Sequence, residues 1–82
     1  MENQELIQKL ELFRNKAFCH HSHYKAEQIY REINDKIPEP YDFHISVEWN
    51  HVKLGHGFKQ ACDALDFHVK ACIKYLKENT IN

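Results

Sequence analysis

Nowhere in this sequence do about 18 apolar residues run together, which excludes a membrane-spanning helix. The opening residues, Met1-Glu2-Asn3-Gln4-Glu5, are polar and lack the basic-then-apolar pattern of a secretory leader, so a soluble, cytoplasmic protein is expected. Cysteine is scarce and odd in number. Cys19, Cys62 and Cys72 cannot close a complete disulfide frame and are expected as reduced thiols, two of them in the core. Charge of one sign is lacking as well: a formal net charge of -1 provides no field to draw the chain to nucleic acid or anionic lipid. Internal repeats and low-complexity tracts are absent, and glycine and proline occur twice each.

The composition is that of a packed domain, with 43% apolar, 12% aromatic and 28% charged residues. A chain of 82 residues forms a single domain, 1–82, that buries only about 60% of its unfolded surface, so association with further copies would add stability.

The organising stretch is Gly57 to Glu78, free of proline and of interior glycine. At about 100° per residue, Phe58, Ala61, Cys62, Leu65, His68, Val69, Cys72 and Leu76 share one side, the expected buried stripe of a long helix over 57–78. Lys59, Asp63, Asp66, Lys70, Lys74 and Lys77 form a charged opposite face, acidic early and basic late, as the helix dipole favours. A second apolar strip, Ala64, Phe67, Ala71 and Tyr75, widens the apolar arc, so this helix is expected to touch two neighbours.

Residues 3–36 also read as helical. Leu6, Leu10, Phe13 and Ala17 form one stripe, with Tyr24 in phase; Ala26, Ile29, Tyr30, Ile33 and Ile37 form a second, rotated by about half a turn. One long or slightly kinked helix is expected, because neither glycine nor proline forces a stop; the alternative is a break near Cys19-His20-His21-Ser22-His23 with Ser22 as the cap of a second helix. Pro38 and Pro40 end this region. Beyond them Tyr41, Phe43, Ile45, Val47 and Trp49 alternate with polar residues, which predicts an extended segment or short strand over 41–49 inside a proline-bounded stretch 38–50. A strand without a partner leaves backbone groups unpaired, and the competing reading is a short helix capped by Ser46 and running through Val52 and Leu54. Gly55 and Gly57 supply a turn over 55–57 into the long helix.

Seven histidines are the most unusual feature of the composition. Cys19, His20, His21 and His23 cluster, and Cys19, His20 and His23 at helical offsets could hold zinc, although no second ligand pair follows. Cys19 next to His20 has the residue types of a thiol nucleophile and base, but no turn presents the sulfur, and no catalytic residue is assigned. Asp63 and Asp66 beside Lys59 and Lys70 read as a surface charge pattern. His68 on the core stripe would need a hydrogen-bond partner, for example a hydroxyl of Tyr75, Tyr41 or Tyr24. Gly55-His56-Gly57 at a helix start resembles an anion seat without the lysine of a P-loop.

The expected fold is therefore mainly α: a small helical hairpin or three-helix domain with one extended segment, associating with itself. The expected function is non-enzymatic binding or inhibition, by occupying a protein partner or by sequestering a small anionic ligand. The ligand residues would be His20, His21, His23, Lys25, His56 and Gly57; the contact surface would comprise Ala64, Phe67, Ala71, Tyr75, Tyr41, Phe43 and Trp49. No cofactor is expected, with a zinc protein using the Cys19, His20, His21 and His23 cluster as the alternative.

Overall fold

In the computed structural model, which describes residues 2–55 and 57–79, four α-helices and no strand occur among the described residues. Helix α1 spans Asn3–Ala17, α2 His23–Ile33, α3 Tyr41–Leu54 and α4 Phe58–Glu78. They form two antiparallel hairpins, α1 with α2 and α3 with α4, joined along α1 and α4.

The single long helix expected over residues 3–36 is replaced by a hairpin. Helix α1 ends at Ala17, Cys19 is extended at φ -114° and ψ 117°, and His20–Ser22 form one 3-10 turn before α2. The alternative break point is thus the one adopted, although the Ser22 side chain makes no capping bond. The half-turn offset between the two apolar stripes has its physical reason here. One straight helix would aim them at opposite sides, whereas folding back turns both inward: Leu6, Leu10, Phe13 and Ala17 are buried with Ala26, Ile33 and Ile37, while the expected in-phase Tyr24 is exposed. Lys9 Nζ donates to Glu32 at 2.7 Å across this hairpin.

Residues 41–49 are not extended but belong to α3. Tyr41, Ile45 and Trp49 lie four apart, a spacing that satisfies period two and period 3.6 equally, and Val52 continues the helical series only. Ile45, Trp49 and Val52 are buried, whereas Phe43, which the alternation placed with them, is 66% exposed. A lone strand would leave its amides and carbonyls without partners; a helix pairs them internally. Gly55 closes α3 in the left-handed region at φ 77°, its N–H donating to the carbonyls of His51 and Val52, and Gly57 at φ 55° precedes α4. Both angles disfavour any side chain with a Cβ.

Helix α4 contacts two neighbours, α3 and α1. Asn3 Nδ2 donates to the Leu76 carbonyl at 3.4 Å and Arg14 to Asp66 at 2.8 Å, pairs whose numbers run in opposite directions, so α4 is antiparallel to α1. Ala61, Cys62, Leu65, Val69, Cys72, Ile73 and Leu76 are buried, and Phe58 and His68 at the margins of the expected stripe are half-buried. Phe13 links the halves, its ring 5.4 Å from Tyr30 and 5.1 Å from Trp49.

Candidate interaction surface

The expected ligand cluster divides between two fates. His23 Nε2 lies 3.1 Å from the Ala17 carbonyl, and since a carbonyl only accepts, this nitrogen carries the proton. The His23 ring meets Trp49 edge-on at 5.4 Å and His20 at 5.1 Å, and both imidazoles reach Phe58 at the start of α4, next to Gly57. Burial, ahead of the nearby His20, holds the His23 pKa below its ordinary value despite the Ala17 bond. His21 and Lys25 are exposed, Lys25 beside Tyr24, and the candidate His56 lies outside the described residues. His23 and Phe58 are thus half-buried at the turn between α1 and α2, with exposed His20 lying against them.

Trp49, expected on the contact surface, is instead 1% exposed. Its Nε1 donates to Glu27 Oε1 at 2.8 Å, and Lys53 reaches the same oxygen at 3.1 Å while Arg31 donates to the other. Burial pushes the Glu27 carboxyl up, but the bonds from Trp49, Lys53 and Arg31 outweigh it and hold the pKa below the usual value. Asp66 shows the same balance between Lys70 and Arg14, so this carboxylate pins α1 to α4 rather than forming only the surface pattern expected of it.

The remaining predicted contact residues gather on one face. Phe43 and Phe67 are 66% and 67% exposed, and Tyr75 is 40% exposed. Between them lie two histidines that the sequence reading left off the surface: His44 of α3 and His68 of α4 stack at 4.8 Å with 10° between their planes. Phe43 meets His44 at 5.7 Å and Phe67 meets His68 at 5.3 Å, each edge-on, so four rings run unbroken across the seam. Tyr41 and Tyr75 pair at 5.4 Å beside them, and half-buried Ala64 and Ala71 keep the α4 surface low next to Phe67. His68 thus sits at the edge of the core and stacks on an imidazole, in place of the expected tyrosine hydroxyl bond. The signal for His44 was available in its position one turn from Tyr41 on a helical reading, which the alternation concealed.

A depression of about 550 Å³ beside Phe67 is lined by Asp63, Asp66, Phe67, Lys70, Ala71 and Lys74. Another of about 480 Å³, between α1 and α4, is lined by Arg14, Lys70, Lys74 and Lys77 with Glu11 and Glu78 over Ile73.

The thiols differ sharply. Cys72 is pushed up to about 11 by burial and Cys62 is raised for the same reason, so both are poor nucleophiles. Exposed Cys19 is lowered by the Ser22 hydroxyl and then by the His21 amide. Among the described residues no three His, Cys, Asp or Glu side chains converge as a metal site, and no helix is long and apolar enough to cross a membrane.

No protein family, curated protein or solved structure matches this chain.

Proposed function

We propose that this is a non-enzymatic binding protein, of the kind that acts by occupying a protein partner through the α3–α4 face. The observation that carries this reading is the unbroken Phe43, His44, His68, Phe67 row, with both phenylalanines about two-thirds exposed. Full burial of a phenylalanine gains about 1.5–3 kcal/mol, so two such rings left in water hold affinity in reserve for whatever covers them. Aromatic side chains with few rotatable bonds also lose little entropy on contact, which is why they concentrate at the centres of protein interfaces.

The test is photo-cross-linking in the source cell, with benzoylphenylalanine placed at Phe67 and, as the control, at exposed Gln28 on α2. Protein adducts at position 67 that are missing at position 28 are expected. Equal yields at both positions, or none at 67, would remove the reading.

A further inference from the structure

We infer that the occupant of this face is a second copy of the same chain, with α4 packed antiparallel on its own twofold mate, a partner choice that rests on the binding role proposed above. The argument begins with the order of side chains along the outer surface of α4. Asp63, Phe67, Ala71 and Lys74 share that surface, with Asp63 and Lys74 strongly exposed at 72% and 80% of their side-chain areas. An isologous interface requires a patch to complement itself when turned end for end. This one does.

A twofold axis level with residue 69, midway between Phe67 and Ala71, places the large ring of each copy over the small side chain of the other. The ring would enter the depression next to Phe67, whose lining includes Ala71. The same rotation brings Asp63 level with the region of Lys74 on the second copy, about 16 Å along the axis from Lys74 of its own helix at 1.5 Å per residue. Both ends of the contact are then closed by opposite charges. In a parallel arrangement Asp63 would face Asp63 and Lys74 would face Lys74, which like-charge repulsion opposes.

The competing bonds within each copy are weak. Lys59 reaches Asp63 at 3.4 Å and Glu78 lies 3.9 Å from Lys74, both along exposed helix turns where such pairs contribute little. They can yield to contacts across the axis without loss to the fold. On α3, the His44–His68 stack fixes the register between the two helices close to the same level, so Phe43 falls near the axis and meets the Phe43 of the second copy. The ring row would then be covered along its length.

Sedimentation equilibrium of the full chain, of Asp63→Lys, of Lys74→Asp and of the double variant decides the matter. The wild-type mass should be twice 9.9 kDa, that is 19.8 kDa. Each single reversal changes two symmetry-related contacts and should weaken self-association about tenfold; the double variant should return it to near the wild-type level. Circular dichroism keeps the comparison fair, because both positions are exposed and all four proteins should be equally helical. A wild-type mass of 9.9 kDa at high concentration would overturn the inference while leaving Phe67 adducts to another protein unexplained by it. A dimer indifferent to the single reversals, or not restored by the double one, would overturn the antiparallel arrangement. Adducts at position 67 with a different protein and a monomeric chain would keep the binding role and remove the second copy; no adducts at all would remove the role itself.

Discussion

The seam between α2 and α3 and the seam between α3 and α4 both hold histidines and aromatic rings, yet they use them in opposite ways. At the first, His23 bonds to a carbonyl of its own chain, and buried Trp49 donates to Glu27, which is held in turn by Lys53 and Arg31. At the second, His44 and His68 meet through their flat faces, and the contacts lead outward to two open phenylalanines. Rings whose polar atoms are satisfied from within serve the architecture. Rings whose apolar surfaces stay wet leave that area open to contact.

The largest expected difference between the seams is in stability. Trp49→Ala should cost about 3–5 kcal/mol, through the lost ring and the cavity left beside Phe13, whereas Phe67→Ala should change the monomer by less than about 0.5 kcal/mol. Urea unfolding of dilute protein measures both, and similar costs would erase the distinction drawn between a structural and a waiting ring.

The two hairpin connections sharpen the comparison at a smaller scale. Gly55→Ala should destabilise by about 1–2 kcal/mol, because φ 77° is unfavourable once a Cβ is present even though no atom lies within 4 Å of it. Ser22→Ala at the other turn should cost under about 0.5 kcal/mol, since the hydroxyl makes no capping bond. Thermal melts of the two variants would contradict the assignment of turn-making to backbone angle if their order were reversed.

The smallest expected effect is in pH dependence. His23 has a folded pKa below its ordinary 6.5, so as pH falls the unfolded chain takes up the proton first. Its cost to stability is absent above that value, grows as pH drops below it and levels off once the folded pKa is passed. Glu27 behaves differently in window but alike in sign. Its folded pKa is below 4.5, so the stability it contributes is present above the unfolded value and disappears as pH falls through the folded one. Melting temperatures between about pH 7 and 5 should fall less steeply for His23→Gln than for wild type. An unchanged slope would mean that the His23 site tolerates a charged imidazole.

Much of the helical content was readable in advance. In α4 six residues of the predicted stripe, Ala61, Cys62, Leu65, Val69, Cys72 and Leu76, are buried, because a stripe at offsets of three and four is specific to the α-helix over such a length. Residues 41–49 misled for the reason that Tyr41, Ile45 and Trp49 fit both periods; only the third-residue step to Val52 separates them. The break after Ala17 had no glycine or proline to announce it, and the change of stripe there was compatible with either a kink or a fold-back. Of the exposed aromatic row, Phe67 and Tyr75 were recognisable as apolar residues in excess of one packed face of α4, while Phe43 was grouped with Trp49 by the alternation and His44 carried no apolar signal.

By itself the amino-acid order determined that α4 is one long helix, which stripe of it must leave water, and where glycine permits a left-handed turn, since these depend on neighbours within a few residues. Tertiary packing alone decided that α2 folds back on α1, that Trp49 goes inward while Phe43 stays out, and that two distant imidazoles stack. Burial of a given ring depends on which other surface arrives first to cover it, and that surface comes from far along the chain.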